Sequence, residues 1–461
     1  MKISEDIPAF RSRKGGLDGN VRNNWAGEKE ISVGRVFEEL PVTGEHWKAC
    51  FTLFVTFVIE AWEMMIIVYA SPSVAKDFVL SPAAIGNLIG SIFLGMGIGS
   101  IIWTIFCDRI GRKRTVIASL ALYGIISGLS VFAPGYGSLY ALRLLSGVAA
   151  AGMLVVTFPY FEELLPVRSR GKLTVYLASG WPLGILCAIG ATVWLMPYGW
   201  RAMLALSSAA ALWLFFVAAL VPESPYWLAS VGKQQAAKDV IRRLSKGAIV
   251  VPESVRLVVD SGERGSWKTL LSSRFLRVTL LQIAINFTFS WGYWGLQSWL
   301  PVLLQKKGLD LPQSYKFIAI SALCMVPGYI TASYLTGKIG RKITVIAFIG
   351  AAAISGYAFA YAQSMTTVYV SNFALAFFSL GAWGVWDTWV AELYPTSLRT
   401  VGYGWMICAQ RVANIIAPST IGALLASGSS FTATTTMINA FMVASVLLAL
   451  FLPETEGKEL V

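Results

Sequence analysis

Long apolar runs alternate with charged stretches along the chain, and one polar, basic stretch, "GKQQAAKDVIRRLSKG" in the middle, has helical spacing. Twelve runs stand out, at roughly 49–70, 84–106, 115–133, 138–161, 173–196, 202–221, 276–304, 315–336, 343–362, 367–391, 401–426 and 433–452. Each is close to the ~20 mostly apolar residues that a bilayer-spanning helix needs. The pattern predicts an all-α membrane protein with twelve transmembrane helices. The first 47 residues are polar and mixed in charge, and they read as a partly disordered cytoplasmic tail. No short apolar stretch with a cleavage site opens the chain, so no removable signal peptide is expected.

Charge sets the predicted orientation. Lys and Arg cluster before the first run (Arg11, Arg13, Lys14, Arg22, Lys29, Arg35). They recur after the second (Arg109, Arg112, Lys113, Arg114), the fourth (Arg168, Arg170, Lys172), the eighth (Lys338, Arg341, Lys342) and the tenth (Arg399). The alternate connections carry only Lys76, Arg201, Lys306, Lys307 and Lys316. Positive loops stay cytoplasmic, so both termini are expected inside. The net charge of +12 follows from this bias and from anionic lipid at the inner surface. Nucleic-acid binding has no basic groove or folded module to support it.

Composition agrees with the pattern. The chain is 56% hydrophobic and 13% charged, against about 25% charged in soluble domains. The five cysteines (Cys50, Cys107, Cys187, Cys324, Cys408) sit in or beside apolar runs without metal spacing; they read as small buried hydrophobes. The single histidine, His46, reads as an interfacial residue. No metal site is expected.

An internal repeat organises the runs. "CDRIGRKRTV" after run two has a partner, "TGKIGRKITV", after run eight; Gly111 matches Gly340, an offset of 340 − 111 = 229. "EELLPVRSRG" after run four matches "AELYPTSLRT" after run ten, pairing Glu163 with Glu392 and Arg170 with Arg399 at the same offset. The halves end alike, with "VPESPYWL" carrying Glu223 and "LPETEGKEL" carrying Glu454. Two six-helix bundles are therefore expected, entering the membrane from the same side, as in parallel-repeat transporters. The domains read as a tail over 1–47, a first bundle over 48–228, a cytoplasmic linker with short helices over 229–274, a second bundle over 275–453 and a tail over 454–461. Glycines 111 and 340 permit tight turns at the membrane face. Asp108, Arg109, Arg112, Glu163, Arg170, Glu223, Arg341, Glu392, Arg399 and Glu454 can act as cytoplasmic latches through charge-assisted pairs. Such pairs would hold the halves together when the site faces outward. A purely structural network is the competing reading.

Charge inside the runs marks candidate chemistry. Glu60 and Glu63 lie in the middle of the first run, three residues apart and so on one helix face. A charged group at mid-bilayer costs at least about 2.5–3.5 kcal/mol, and intramembrane acids commonly line cavities or relay protons. Burial and mutual repulsion oppose ionising both together, which suits a proton-coupling group. The competing reading is an acid neutralised by a fixed arginine. Arg143 opens run four, and Arg411 lies well inside run eleven with Asn414 three residues on. A planar, permanently charged guanidinium suits a carboxylate ligand; permanent pairing with Asp387 or a first-helix glutamate is the alternative. Run ten brings Trp383, Trp386, Asp387 and Trp389, run seven Asn286, Trp291, Tyr293, Trp294 and Gln297, and run five Trp181 before Pro182, where a kink is expected. Aromatic walls with few polar groups describe a pocket for a flat small molecule.

On "DRIGRKR", "RLLSGVAAAG", "ELLPVRSRG", "PESPYWL", "ELYPTSLR" and "PETEGKEL" the chain resembles the major facilitator superfamily, in its sugar-porter-like and organic-ion-porter-like part. Two positions depart from that pattern: Thr104 stands where a small residue is usual, and Gly337 stands where Asp108 would repeat. "EAWE", Trp181, and Trp383 with Asp387 ahead of "ELYP" resemble the synaptic vesicle glycoprotein 2 family and its bacterial relatives, which include nicotinate and aromatic-acid carriers. Relatives usually have aspartate at the position of Glu60. The resemblance implies that Trp181, Trp383 and Asp387 line a central cavity, that Arg143 takes part in proton coupling, that Arg411 is similar to the arginine of organic-anion carriers, and that the protein works as a monomer.

The expected function is a secondary active transporter, a proton-coupled symporter of a small organic anion such as the aromatic carboxylate nicotinate. Carriers of organic cations, zwitterions or sugars, and drug or metabolite exporters, are alternatives on the same fold; a non-transporting receptor is a different class. No Ser/His pair, HExxH or Walker motif is present in the sequence, so neither an enzyme nor direct ATP drive is expected. The expected partners are a small molecule, a proton and the lipid bilayer, with no cofactor and no nucleic acid.

Overall fold

The computed structural model of the protein describes residues 28–259 and 267–455. The chain enters through a strand, β1 (Glu30–Ser32), and a short helix, α1 (Val33–Glu39). The first half follows as α2 (Gly44–Phe78), α3 (Pro82–Ile110), α4 (Arg112–Ser130), α5 (Tyr136–Glu163), α6 (Val167–Ala178), α7 (Gly180–Leu195), α8 (Gly199–Ala210) and α9 (Leu214–Leu220). Helices α10 (Pro225–Ser230) and α11 (Gln234–Leu244), strand β2 (Arg256–Val258) and helix α12 (Trp267–Leu270) lead to the second half. That half is α13 (Leu276–Lys306), α14 (Leu311–Ile339), α15 (Arg341–Ala360), α16 (Met365–Glu392), α17 (Thr396–Ala426) and α18 (Phe431–Ala449).

Every apolar run coincides with a long helix or a consecutive pair. The fifth run is α6 and α7, interrupted at Ser179. Pro182 has no N–H to donate to residue 178, so the ladder breaks just before it. The sixth is α8 and α9, joined by a 3₁₀ turn at Ala211–Trp213. Among the described residues, eight segments are apolar and long enough to span a bilayer, with the fifth and sixth runs counted together as Tyr176–Leu220. Helices α4, α13 and α17 do not qualify. The first opens on Arg112, Lys113 and Arg114, and the other two carry Gln282, Asn286, Gln297, Gln410, Arg411 and Asn414. Polar side chains that face inward lower a helix's hydropathy without exposing it to lipid.

The two halves meet tightly at one end. A Cβ on Gly86 of α3 would lie 2.3 Å from the Pro418 carbonyl oxygen of α17, and one on Gly422 would lie 2.5 Å from that of Pro82. Only glycine permits this backbone approach. Tyr315 Oη of α14 donates to the Tyr69 carbonyl of α2 at 2.6 Å. All these contacts lie at the end remote from the Lys- and Arg-rich loops.

The segment expected as a tail is partly folded. β1 pairs in parallel with β2, Ile31 opposite Leu257, and Ile31, Val33, Val36 and Phe37 are buried with Ala237, Ile241 and Leu257 of the linker. This short apolar alternation is what residues 28–43 use to dock, and it was hidden inside a polar stretch. Gln234 clamps β2 through both its amide atoms, to Leu257 O (3.0 Å) and Leu257 N (2.7 Å). His46 is buried, not interfacial; its Nδ1 accepts from Thr43 N at 3.1 Å and closes the N-terminal cap of α2. Of the cysteines, Cys50 and Cys107 are buried, whereas Cys187 and Cys408 are exposed; they lie on helix faces that the bundle does not cover. Residues 1–27, 260–266 and 456–461 of the expected tails and linker lie outside the described residues.

Candidate substrate and proton site

Glu63 and Arg143 form an ion pair inside the first half. Both side chains are inaccessible to solvent, and Arg143 Nη1 lies 3.2 Å from Glu63 Oε1. Ser146 Oγ, one turn on from Arg143, donates to the same oxygen at 2.5 Å. Arg143 Nη2 donates to Ser130 Oγ (2.6 Å) and Ser127 Oγ (3.4 Å) on α4, and Tyr123 stands beside Glu63. A buried charge needs this degree of satisfaction to be tolerated. Arg143 therefore reaches across α4 and α2 and does not snorkel to the helix end.

Glu60 turns elsewhere. It is equally buried, and both acids leave Oε2 unpartnered among the described residues. But where Glu63 holds Arg143 and Ser146 on Oε1, Glu60 makes no hydrogen bond or ion pair among the described residues. The charge it faces is Arg411, on α17 of the other half. Arg411 is also buried and keeps its Nε unpartnered. The two acids, expected to act from one face, thus split. Helix α2 sits at the seam, and a step of three residues carries Glu63 into the first bundle and leaves Glu60 on the seam.

An aromatic cluster joins the halves at this depth. Trp294 of α13 packs edge-on against Trp181 of α7 (ring centroids 5.7 Å apart) and Phe93 of α3 (4.7 Å). Tyr293 contacts Trp294 (5.6 Å) and Trp383 (6.0 Å), and Phe289 backs Trp383 at 4.9 Å. The buried Tyr293 hydroxyl accepts and donates no hydrogen bond to the described groups. Trp181, Tyr293, Trp294 and Trp383 thereby form one cluster across the seam, and Trp294 is tied to α17 through Asn414, one turn on from Arg411.

The amides expected to meet substrate are occupied by each other. Asn286 Oδ1 accepts from Trp386 Nε1 (2.6 Å) and Gln410 Nε2 (3.0 Å), while Asn286 Nδ2 donates to the Gln282 carbonyl at 2.7 Å. With its amide oriented to satisfy both ends, Asn414 donates to Ser290 Oγ (2.6 Å) and accepts from Trp294 Nε1 (3.2 Å). These residues brace α13, α16 and α17. Asp387 does not pair with Arg411 either: it lies one turn below Trp383, near Tyr329 and Tyr403. Tyr403 in turn neighbours Arg411. Sequence reasoning missed Ser127, Ser130 and Ser146, although the i, i+3 spacing of hydroxyls on α4 was visible. It also missed Phe93, Phe289 and Gln410, for which no signal separated them from ordinary core.

The loop motifs repeat in three dimensions. Gly111 and Gly340 take the same left-handed-side backbone, φ 96° and 93°. Arg112 Nε reaches Glu163 at 3.1 Å, and Arg341 Nε reaches Glu392 at 3.1 Å. Glu223 accepts from the backbone of Arg112 and Lys113 (2.9 and 3.0 Å), and Glu454 from that of Arg341 and Lys342 (2.9 and 3.0 Å). Asp108 adds a 3.4 Å contact to Arg112 that Gly337 cannot copy. Arg109 is exposed. Arg170 donates to Leu165 O and Tyr226 Oη, and Arg399 leaves Nε and Nη2 without partners among the described residues. In this conformation, with the halves in contact at the opposite end, these latches do not bridge the halves: the pairs named here each join helices of one half. The loops are short, so each arginine finds the glutamate of its own bundle within reach.

Comparison with known proteins is decisive about the family. The profile described as "Sugar (and other) transporter" matches residues 48–461. The chain belongs to this family. Its membership makes it a membrane transporter of the major facilitator fold. It is 31% identical to the niacin transporter NiaP of Acinetobacter baylyi over 93% of this chain and 98% of that one. It is 24% identical to the cis,cis-muconate transport protein of the same organism, over 90% and 96%. The xylose transporter XylE of E. coli, in a partially occluded inward-open conformation, superposes with a TM-score of 0.72 at 20% identity, covering 91% of this chain and 100% of XylE.

Proposed function

We propose that the protein carries a small organic anion, an aromatic carboxylate of the nicotinate type, into the cell together with a proton. The observation that carries the reading is Glu60: a buried acid that makes no hydrogen bond or ion pair among the described residues, facing a buried guanidinium on the opposite half. A carboxylate substrate would take Arg411 in a bidentate grip. With Arg411 occupied, an ionised Glu60 would be a second anion in the same dry space, so it takes a proton instead. Substrate and proton then bind together, which is symport. Trp181, Tyr293, Trp294 and Trp383 supply flat apolar walls for a ring.

In this reading twelve helices span the membrane in two bundles, over 48–228 and 275–453, with both termini cytoplasmic and a monomer as the working unit. The backbone contacts of Gly86 and Gly422 then close the outer end. The site opens by rocking of the bundles, and Glu63 with Arg143 keeps α2 and α5 moving as one body and lends its acid to proton coupling when the pair is stretched. Arg399, with unused donors, is the latch that gains a partner when the inner end shuts. The names of the niacin and muconate relatives support an acid as cargo. A sugar is less well served, because Gln282, Asn286 and Gln410 spend their amides on one another.

The test is uptake of labelled nicotinate into proteoliposomes under an imposed pH gradient, with and without a protonophore. Accumulation abolished by the protonophore supports the reading. Uptake indifferent to the gradient, or competition by amines and sugars but not by acids, overturns it.

A further inference from the structure

A cleft lies away from the seam, on the underside of the first half. It holds about 610 Å³ between the start of α4 and the linker helices α10 and α11. Four cations border it, Lys113, Arg114, Lys233 and Arg243, against two acids, Glu223 and Asp239.

Both acids are committed elsewhere. Glu223 accepts from the backbone N–H groups of Arg112, Lys113 and Ser224, and Asp239 pairs with Arg242 at 3.1 Å. The cations are held close together, with more positive than negative charge on the lining. Lys113 Nζ donates to Ala218 O (2.6 Å) and Arg243 Nη2 to Leu220 O (3.2 Å), so the last carbonyls of α9 draw both side chains to the same rim. Lys113 and Arg243 are near enough to repel one another. Arg243 also pairs with Glu45 at 3.1 Å, which fixes its direction. Each has donors to spare: an ammonium has three and a guanidinium five. Arg114 and Lys233 are exposed at the mouth, and Lys233 Nζ sits 5.1 Å from the centre of the Trp227 ring. Trp227, Leu228 and Ile117 form an apolar floor.

We infer that this cleft binds a phosphate-bearing anion. Convergent guanidinium and ammonium donors with no free carboxylate match the several acceptor oxygens of a phosphate. The floor and the membrane-proximal position fit the headgroup of an anionic phospholipid; a soluble polyphosphate carries the same chemistry. Occupancy would tie the start of α4 to α10 and α11, and so to β1 and α1, which pack on the linker. The inference is independent of what the seam transports.

The experiment uses the purified full-length protein and the double variant Arg114→Gln/Lys233→Gln, which leaves the Lys113 and Arg243 contacts intact. One arm measures retention of phosphatidylglycerol against phosphatidylcholine by native mass spectrometry. The other titrates inorganic pyrophosphate in phosphatidylcholine nanodiscs and reads thermal stability. The wild type should bind at least one probe, and the variant should bind it about ten- to thirtyfold more weakly, as expected for loss of two near-surface cations. Retention of lipid alone identifies a headgroup site; response to pyrophosphate alone identifies a soluble ligand. The inference fails if the wild type binds neither probe, if the variant binds equally, or if Lys76→Gln/Lys316→Gln, on the other side of the protein, gives the same loss.

Discussion

Glu60 and Glu63 stand three residues apart on α2, both sealed from solvent, yet their surroundings differ in kind. Glu63 has an arginine at 3.2 Å, a serine hydroxyl at 2.5 Å and a tyrosine beside it, all from its own half. Each acid leaves its Oε2 unpartnered among the described residues, but Glu60 makes no hydrogen bond or ion pair there at all and faces a charge on the other half. The first arrangement is a finished bond within a rigid body. The second is an unfinished one across a moving seam. Buried ion pairs contribute little net stability, but breaking one strands a charge; an acid without a partner can lose its charge by binding a proton. The same residue type on the same helix is thus bonded within one half in one direction and turned to the other half in the opposite one.

The comparison can be broken most forcefully at the arginines. Arg143→Leu should destabilise the protein by about 3–5 kcal/mol, because Glu63 is left buried against hydroxyls alone. Arg411→Leu should cost less, about 1 kcal/mol, since it cuts no ion pair among the described residues and Glu60, losing the charge it faces, can bind a proton. Denaturant unfolding in one detergent checks both; equal losses would erase the distinction. For function the order reverses. Arg411→Ala should weaken binding of nicotinate by about 2–5 kcal/mol, the usual result of truncating one partner of a buried charge pair, measured by displacement of labelled substrate. Trp294→Ala, which removes the ring touching Trp181, Phe93 and Tyr293, should weaken it by about 0.5–1.5 kcal/mol beyond the loss of buried area. The smallest effect is expected from Tyr293→Phe. Its hydroxyl has no hydrogen-bond partner among the described residues, so stability should be unchanged while affinity falls by about 0.5–1.5 kcal/mol if substrate uses it.

Much of this was legible in the sequence. The offset of 229 between Gly111 and Gly340 announced the matched turns and singled out the loop charges, but not that Arg112 would meet Glu163 and Arg341 would meet Glu392 within one half. The intramembrane charges named the seam residues, because a charge at that depth has few other reasons to exist. What the sequence hid were partners brought by helix packing. Nothing local says that Ser146 and Ser130 converge on one buried ion pair, or that Asn286 would be consumed by Trp386 and Gln410. The pairing of β1 with β2 joins residues 226 apart, Glu30 and Arg256, through three-residue strands too short to stand out in a hydropathy pattern.

The account stands most directly on Glu60→Gln in proteoliposomes, comparing accumulation of labelled nicotinate driven by a pH gradient with exchange against nicotinate inside. The account predicts that gradient-driven accumulation disappears while exchange continues, because substrate still meets Arg411 but no proton travels with it. A Glu60→Gln protein that accumulates nicotinate as the wild type does would contradict it.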